Sequence, residues 1–138
     1  MPTLTVTKEF EWDCAHQLHD ELLSKEDNKA IFGDCNNIHG HTYKMYVTVS
    51  NANMDLKNGM IINFKLLKSI VDEFIVDRFD HTLLNNDPLY DDKNRVTTCE
   101  HMVYDIWNIL KPELLKFGCK LEKIKLYETP GSYAELVR

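Results

Sequence analysis

The amino-acid sequence predicts an α+β fold, in which two helices cover one face of a four-stranded antiparallel sheet in the order β-β-α-α-β-β. Three observations predict it. Near both ends of the chain, apolar and polar residues alternate, as they do in strands with one buried face. Between these segments, two stretches carry apolar residues at the spacing of an amphipathic helix. Such helices bury their apolar stripe against one face of an antiparallel sheet.

Two strands are predicted in the first third of the chain. The first covers residues 4–12, where apolar and polar side chains alternate. A polar, charged segment follows over residues 17–34 and ends in a turn-like Phe-Gly-Asp sequence. The second strand covers residues 42–49, and its apolar positions are in phase with His39 and His41. The two histidines are therefore expected at the mouth of a strand whose same face continues into the core.

The middle of the chain begins with a loop and a helix. Residues 51–59 are predicted to form the loop, and residues 60–62 are predicted to end a strand pair. Asn63 is of a type that caps helices, because its side chain accepts hydrogen bonds from the free N–H groups of the first turn. An apolar stripe at helical spacing follows it to about Phe79.

The second half of the chain holds one more helix and two more strands. Residues 80–95 are rich in loop-forming residues, and residues 97–100 (Thr-Thr-Cys-Glu) match a capping box that opens the helix. Pro112 is expected to bend or end this helix. Residues 120–128 and 133–137 alternate on either side of a Pro-Gly turn, which predicts the last two strands.

The composition fits a single domain over residues 1–138. The chain is 43% hydrophobic, and at this length folding buries roughly two-thirds of the accessible surface. A net charge of −6 argues against a nucleic-acid partner, since phosphate backbones are bound by clustered lysines and arginines. No signal-peptide pattern opens the chain, and no apolar run is long enough to span a membrane. We therefore expect a cytoplasmic protein without a membrane partner, whose four cysteines stay reduced.

A histidine cluster is the most informative part of the sequence. On an extended strand His39 and His41 point to the same face, and Gly40 between them permits close approach of the backbone or a substrate. His16 lies at the end of the preceding strand, which would bring it near the pair. Three neutral imidazoles with an open fourth position are the ligand set of a catalytic zinc. The alternative is that each histidine is a solvated or capped core residue.

Three further residues could carry proton transfer. Cys35 lies in a polar loop just before the histidine pair, where a nearby dication would favour its thiolate. The alternative is the commoner role of a free cysteine as a small buried hydrophobe. Asp80 and His81 follow a helix end and could form a proton relay. Equally, His81 could interact only with the helix dipole.

Glu128 interrupts the end of an otherwise alternating strand, just before the Pro-Gly turn. A carboxylate there can accept paired N–H donors from a planar heterocycle such as guanine or pterin, because bidentate contacts are strong. The alternative is an exposed acid at a strand end. Glu100 is a further acidic candidate, and the alternative for it is a structural role as the last residue of the capping box.

Together these residues resemble the motifs of one enzyme family. The motifs occur in the family's order, are highly specific as a set, and span the chain from Phe10 to past Glu128. They are Phe10-x-x-x-Cys14-Ala15-His16, Cys35-Asn36-Asn37-Ile38-His39-Gly40-His41-Thr42-Tyr43-Lys44, Asn58-Gly59-Met60-Ile61-Ile62-Asn63-Phe64-x-x-Leu67-Lys68, Phe79-Asp80-His81-x-x-Leu84-Asn85, Thr98-x-Glu100 and Tyr127-Glu128-Thr129. In this respect the chain is similar to the 6-pyruvoyl-tetrahydropterin synthase / 6-carboxytetrahydropterin synthase family.

The resemblance implies a tunnelling fold (T-fold), in which β-β-α-α-β-β subunits join their strands into a barrel across a trimer. It also implies that two trimers stack as a homohexamer and that the active sites lie between subunits. Barrel closure would remove the exposed sheet edges that a lone chain would have.

The resemblance further implies roles for the candidate residues. The Zn²⁺ ligands would be His16, His39 and His41. Cys35 would be the general base, with Asp80 and His81 as its partners in proton transfer. The bound zinc would hold the hydroxyl groups of the substrate's side chain and polarise them as a Lewis acid.

The substrate that the resemblance implies is 7,8-dihydroneopterin triphosphate. Glu128 would anchor its pterin ring through the N–H edge, and Thr98 and Glu100 would lie near the ring pocket. Lysines and arginines of neighbouring subunits are the expected partners of the triphosphate.

Two product branches divide the family. The pyruvoyl branch eliminates triphosphate and keeps the three-carbon side chain, whereas the carboxy branch also cleaves a carbon–carbon bond and releases acetaldehyde, on the route to queuosine. The compact Cys-x3-His-x-His spacing resembles the carboxy branch, while residues 32–37 and Asn63 resemble the pyruvoyl branch. Because the spacing sets the distance from base to zinc, we expect a 6-carboxytetrahydropterin synthase. The alternatives are a 6-pyruvoyl-tetrahydropterin synthase and a non-catalytic oligomer that binds zinc or pterin.

Overall fold

The structure is a computed structural model and describes residues 2–51, 56–92 and 95–138. The strands are β1 (Thr5–His16), β2 (His39–Asn51), β3 (Cys119–Thr129) and β4 (Ser132–Val137). The helices are α1 (Lys25–Phe32), α2 (Phe64–Val71), α3 (Asp77–Phe79) and α4 (Cys99–Leu115). The strands form one antiparallel sheet in the order β1-β2-β3-β4. The predicted α+β architecture is confirmed.

One face of the sheet carries the core. Helix α4 packs on β3 and β4, and α2 packs on β1 and beside α4. Alternate side chains of the strands supply the sheet's half of this core: Phe10, Trp12, Tyr43, Met45, Val47, Ile124 and Leu126. The largest contributions of α4 are Met102, Ile106, Leu110 and Leu114. In the described part of the chain, no helix has the length and apolar character needed to cross a membrane.

Both N-terminal strands reach further than the sequence predicts. β1 continues from Trp12 to His16, and β2 begins at His39 rather than at Thr42. The buried alternation also continues, since both Cys14 and His16 face the core. In the ladder between the two strands, His16 is paired with His39. The three candidate metal ligands are therefore gathered at one end of the sheet.

The predicted helix between Asn63 and Phe79 is confirmed, but it is not uniform. Asn63 caps α2, and its side chain accepts a hydrogen bond from a backbone N–H of the first turn at 2.9 Å. A π-helical turn over Asp72–Val76 separates α2 from α3. Such turns are frequent at functional sites. Here the chain leaves α3 at Asp80 with an extended backbone, so the irregular helix leads directly into a candidate site residue.

One local prediction is wrong, and another is contradicted in one of its two alternatives. Residues 60–62 do not end a strand pair, because Met60 forms only an isolated bridge with Lys57 while the two isoleucines that follow are buried outside any strand. Pro112 does not end α4, which continues to Leu115. This proline lies in the last turn of α4, so the backbone hydrogen bond that it cannot donate is one of the last in the helix.

The cap of α4 lies one residue later than the capping-box prediction. Thr98 is the N-cap, and its hydroxyl accepts a hydrogen bond from the His101 N–H at 3.2 Å. Thr97 instead donates its hydroxyl to the Gln17 carbonyl at 3.1 Å. Glu100 is thus the second residue of the helix, one position too early to close a reciprocal capping box.

The two predicted loops lie partly outside the described residues. Of the loop predicted over 51–59, Asn51 ends β2 and residues 52–55 are not among those described. The segment predicted over 80–95 contains short 3₁₀ turns at Leu84–Asn86 and Pro88–Tyr90, and its residues 93–94 are likewise outside the described ranges.

Helix α1, which the hydrophobic pattern does not predict, lies inside the polar segment 17–34. Ser24 caps it by accepting a hydrogen bond from the Asp27 N–H at 3.0 Å. Asn28 is only 1% exposed. Its side chain accepts from the Asp20 N–H at 2.7 Å and donates to the Asp20 carbonyl at 2.9 Å. The buried side-chain amide of Asn28, rather than an apolar stripe, holds this helix in place. Hydrophobic periodicity in the sequence therefore does not reveal the helix.

Replacing the Asn28 side chain, Asn28→Ala, is expected to destabilise the protein by about 2 kcal/mol, because it removes a buried amide that accepts from the Asp20 N–H and donates to the carbonyls of Asp20 and Ser24. Urea denaturation at one fixed protein concentration measures the change. Lys29→Ala, at the exposed neighbouring position of the same helix, is the matched control and should cost less than about 0.5 kcal/mol. Equal losses from the two variants would contradict the structural role of Asn28.

Candidate active site

The three predicted metal ligands come together at the end of the sheet where β1 finishes and β2 begins. The ring centroids of His16 and His39 are 4.5 Å apart, those of His16 and His41 are 5.1 Å apart, and those of His39 and His41 are 4.9 Å apart. One ring nitrogen of each lies within 4.8 Å of one on both others. His39 is opposite His16 in the ladder and His41 is two residues further on the same face, so strand geometry alone assembles the cluster.

Backbone carbonyls orient two of the rings. His16 Nδ1 donates to the Thr97 carbonyl at 2.8 Å, and His39 Nδ1 donates to the Asn37 carbonyl at 2.7 Å. A carbonyl can only accept, so the ring proton is on Nδ1 and the Nε2 atoms keep their lone pairs. Outer partners of this kind fix the tautomer of histidines that bind metals.

The innermost nitrogen of the cluster has no hydrogen-bond partner among the described residues. His16 is fully buried, and its Nε2 is unsatisfied. Glu128 Oε1 lies 3.3 Å from this atom, but without the geometry of a hydrogen bond. A buried polar atom without a partner costs free energy. A divalent metal ion would satisfy this nitrogen, and three imidazoles match a catalytic zinc, so the residues present fit the predicted ion.

Glu128 belongs to the same cluster. Its Oε1 lies 3.3 Å from His16 Nε2 and 3.5 Å from His41 Nε2, which shows that the two ring nitrogens converge. The imidazole of His16, aided by the charge interaction with His41, lowers the pKa of the Glu128 carboxyl. Burial lowers the pKa of His41. At neutral pH the site therefore holds a carboxylate beside a neutral His41, in the state that a metal requires.

A break in the sheet opens a cavity over this cluster. Pairing between β2 and β3 ends at Lys44 and Tyr127, and β3 is irregular between Tyr127 and Thr129. The strands separate beyond this point and leave a cavity of about 550 Å³. Its lining includes His41 and Glu128 as well as Lys44 and Tyr127. The proximity of Glu128 to the histidines did not emerge from the sequence, although it shares the inward alternation of Ile124 and Leu126.

Asp80 and His81 form a pair, as the relay hypothesis predicts. His81 Nδ1 lies 2.9 Å from Asp80 Oδ2. The backbone N–H of Asp13 donates to Asp80 Oδ1 at 3.0 Å. That hydrogen bond, followed by the contact with His81, lowers the pKa of the Asp80 carboxyl. The His81 side chain is 79% exposed, and it lines a groove of about 560 Å³ together with His41.

Cys35 occupies the 3₁₀ turn Gly33–Asn36, directly before the histidine pair. It is the one exposed cysteine, because Cys14, Cys99 and Cys119 are buried, and all four are free thiols. Burial raises the pKa of Cys14 and of Cys99 to about 12, so these two thiols are poor nucleophiles and bases.

Cys35 makes no hydrogen bond to Asp80 or His81 (the relay pair) among the described residues. The Cys35 carbonyl accepts from the Leu18 N–H at 2.9 Å.

Thr98 and Glu100 lie at the start of α4, where Thr98 caps the helix and Glu100 is exposed. Neither is hydrogen-bonded to a histidine of the cluster in the described structure. The residue that reaches the cluster is their neighbour Thr97, through its carbonyl. Sequence reasoning missed Thr97 and Asn37 because a main-chain carbonyl carries no residue-specific signal.

Comparison with known proteins agrees with this geometry. Residues 5–138 match the family described as 6-pyruvoyl tetrahydropterin synthase. The chain is 36% identical over 131 residues to 6-pyruvoyl tetrahydrobiopterin synthase of Dictyostelium discoideum, covering 95% of this chain and 93% of the relative. It is 33% identical over 153 aligned positions to 6-carboxy-5,6,7,8-tetrahydropterin synthase of Haemophilus influenzae, covering 94% and 96%.

The fold matches a solved member as well. The structure of 6-pyruvoyl tetrahydropterin synthase from Caenorhabditis elegans superposes with a TM-score of 0.83 at 30% identity, covering 100% of this chain and 97% of that one. The T-fold that the resemblance implies is thereby confirmed. The chain belongs to the 6-pyruvoyl tetrahydropterin synthase family.

Proposed function

We propose that this protein is a zinc-dependent lyase that acts on 7,8-dihydroneopterin triphosphate. The observation that carries the proposal is the histidine cluster. Two of its Nε2 atoms converge on one oxygen of Glu128, and the buried Nε2 of His16 has no hydrogen-bond partner in the part of the chain that the structure describes. The ion would be held by His16, His39 and His41, and when bound it would supply Lewis-acid polarisation of the substrate's side-chain hydroxyls.

Each remaining site residue has a task in this proposal. Glu128 lines the 550 Å³ cavity and is ionised, so its two oxygens can accept the paired N–H donors of a pterin ring. Cys35, whose thiol is exposed, serves as the general base that removes a proton from the side chain of the substrate. His81, oriented by Asp80, carries or returns a proton. Thr98 and Glu100 are proposed to border the ring pocket from the start of α4.

The site is proposed to be completed between subunits of a homohexamer. Cys35 makes no hydrogen bond to Asp80 or His81 within the described residues of one chain, although the proposed reaction needs them together. In addition, β1 and β4 are the edge strands of the sheet, and edge strands of this length are normally paired or covered. Joining these edges into a barrel across a trimer would meet both needs.

For the product, we propose 6-carboxytetrahydropterin, with release of acetaldehyde and triphosphate, as in the formation of queuosine and other deazapurines. The supporting observation is the short Cys35-to-His39 interval, which fits a 3₁₀ turn that leads within three residues into β2. A relative from Haemophilus influenzae with 33% identity is named for this carboxy product.

A second candidate is 6-pyruvoyl-tetrahydropterin synthase activity, which eliminates triphosphate and keeps the carbon chain. It is favoured by the 36% identity to the Dictyostelium discoideum relative, which is named for that product. A third, the non-catalytic zinc- or pterin-binding oligomer, has no use for an exposed Cys35 or for the pair formed by Asp80 and His81.

Incubating the zinc-loaded protein with 7,8-dihydroneopterin triphosphate separates the three candidates. Acetaldehyde is assayed by coupled reduction, and the pterin product is identified by its mass. We expect acetaldehyde in equal amount to a carboxylated tetrahydropterin. Triphosphate with a pyruvoyl side chain and no acetaldehyde would replace the carboxy assignment by the pyruvoyl one. No product from protein shown to hold zinc would refute both enzymes.

A further inference from the structure

The turn that carries Asp80 and His81 is attached to the edge of β1. The His81 N–H donates to the Asp13 carbonyl at 2.6 Å, and the Ala15 N–H donates to the Thr82 carbonyl at 2.9 Å. A third hydrogen bond joins the same two segments, in which the Asp13 N–H donates to Asp80 Oδ1 at 3.0 Å. Strand β1, which ends at the candidate ligand His16, therefore also positions Asp80 and His81. It does so through Asp13, three residues before His16.

The backbone of His81 depends on this attachment. Its φ is +60°, in the left-handed region that a residue with a Cβ adopts only when its surroundings impose it. The N–H and the carbonyl of Asp13 both form hydrogen bonds to the Asp80–His81 turn. The main chain of Asp13 therefore holds both the strained backbone of His81 and the carboxylate of Asp80.

Two carboxylates lie beside the His81 imidazole. One side-chain ligand atom of each of Asp13, Asp80 and His81 lies within 4.8 Å of the other two. Only Asp80 pairs with His81 Nδ1, at 2.9 Å. Asp13 Oδ1 instead accepts a hydrogen bond from the Thr42 hydroxyl at 2.5 Å, and Asp13 and Thr42 are directly opposite in the β1–β2 ladder.

We propose that Thr42 and Asp13 are positioning residues for the relay pair: the Thr42 hydroxyl holds the Asp13 carboxylate away from His81, so that the imidazole pairs with Asp80 alone. The inference rests on the proposed function, in which this pair moves a proton. When the hydroxyl is removed, Asp13 becomes a free carboxylate close to the ring and competes with Asp80 for Nδ1. The imidazole then turns from the orientation that Asp80 gives it.

Thr42→Val tests this directly, because it removes the hydroxyl while keeping the shape of the side chain. We expect kcat to fall about tenfold, part of what a general acid–base group contributes, with KM within about twofold of wild type. Thr42→Ser, which keeps the hydroxyl, should restore kcat. Thr7→Val is the matched control: its hydroxyl bonds that of Thr48 at 2.7 Å in the same strand pair, away from the site.

The decisive comparison uses a second background. In Asp13→Ala protein the competing carboxylate is gone, so adding Thr42→Val should leave kcat within about twofold of the Asp13→Ala parent. A tenfold loss that persists there would mean that Thr42 acts on the substrate itself and would overturn the inference. An unchanged kcat in Thr42→Val alone would overturn it as well.

A crystal structure of the Thr42→Val protein separates this inference from the proposed function, because it does not depend on turnover. We expect the Asp13 carboxylate within hydrogen-bond distance of His81 Nδ1. That contact in Thr42→Val, together with no turnover by the wild-type protein, would support the positioning inference and refute the proposed function. An unmoved Asp13 in an active enzyme would refute the inference and leave the proposed function standing.

Discussion

Cys35→Ala is expected to lower turnover of 7,8-dihydroneopterin triphosphate by about a hundredfold or more, the range of a general base. Its thiol is the exposed one, while burial raises the pKa of Cys14 and Cys99 to about 12, so no other thiol of the chain is suited to replace it. Zinc content and affinity for the pterin ring should not change in this variant. In the described structure, the hydrogen bonds and ion pairs of the histidine cluster and of Glu128 do not involve the Cys35 side chain. Steady-state kinetics, metal analysis and pterin fluorescence titration measure the three quantities.

Cys119→Ala is the matched control for this prediction. Cys119 is buried and lies opposite Asn51, at the far end of the sheet from the histidine cluster. Its replacement should lower stability without changing kcat. Turnover by Cys35→Ala at the wild-type rate would show that the base is another group. Loss of zinc from Cys35→Ala would show that the thiol acts on the metal site instead.

His16→Ala is expected to abolish activity by a different route, through loss of the metal. Removing an outer partner of a ligating histidine already costs about 10- to 100-fold in metal affinity, so losing the ligand itself should cost more than about 100-fold. His16 is fully buried and central, with its ring facing both other histidines. Zinc affinity is measured by competition with a chromophoric chelator, and activity is measured on the same samples.

Because His16 is buried, its replacement also opens a cavity and could impair folding, so His39→Ala serves as the second variant. His39 is only partly buried, and the same metal loss is expected without the cavity. His19→Ala, which removes a histidine that is not part of the cluster, should keep full zinc affinity. Wild-type zinc affinity in His39→Ala would contradict the proposed ligand set.

The strands and the histidine cluster could be predicted from the sequence because one local rule, the period of two along a strand, determines both. A period of two assigns His39, His41 and the apolar positions of β2 to one face, and pairing with β1 then places His16 opposite His39. The relay pair was predictable for a similar reason, since Asp80 and His81 are neighbours in the chain.

What the sequence did not predict depends on contacts between distant segments. Helix α1 is stabilised by the buried amide of Asn28, and hydrophobic periodicity does not indicate hydrogen bonds of this kind. The carbonyl of Thr97 bonds His16 across the fold, and any residue type could supply it. Glu128 approaches the histidines at a point where β3 is irregular after Tyr127, and sequence alternation does not locate such an irregularity.

The central claim is that the histidine cluster binds the ion on which catalysis depends, and one measurement tests it directly. Triphosphate release from 7,8-dihydroneopterin triphosphate is followed with the protein as purified, after removal of metal by a chelator, and after one equivalent of zinc per chain is restored. We predict turnover by the metal-loaded protein, none by the metal-free protein, and full recovery with zinc. Equal turnover by metal-free protein, or no turnover by protein shown to hold one zinc per chain, would contradict the account.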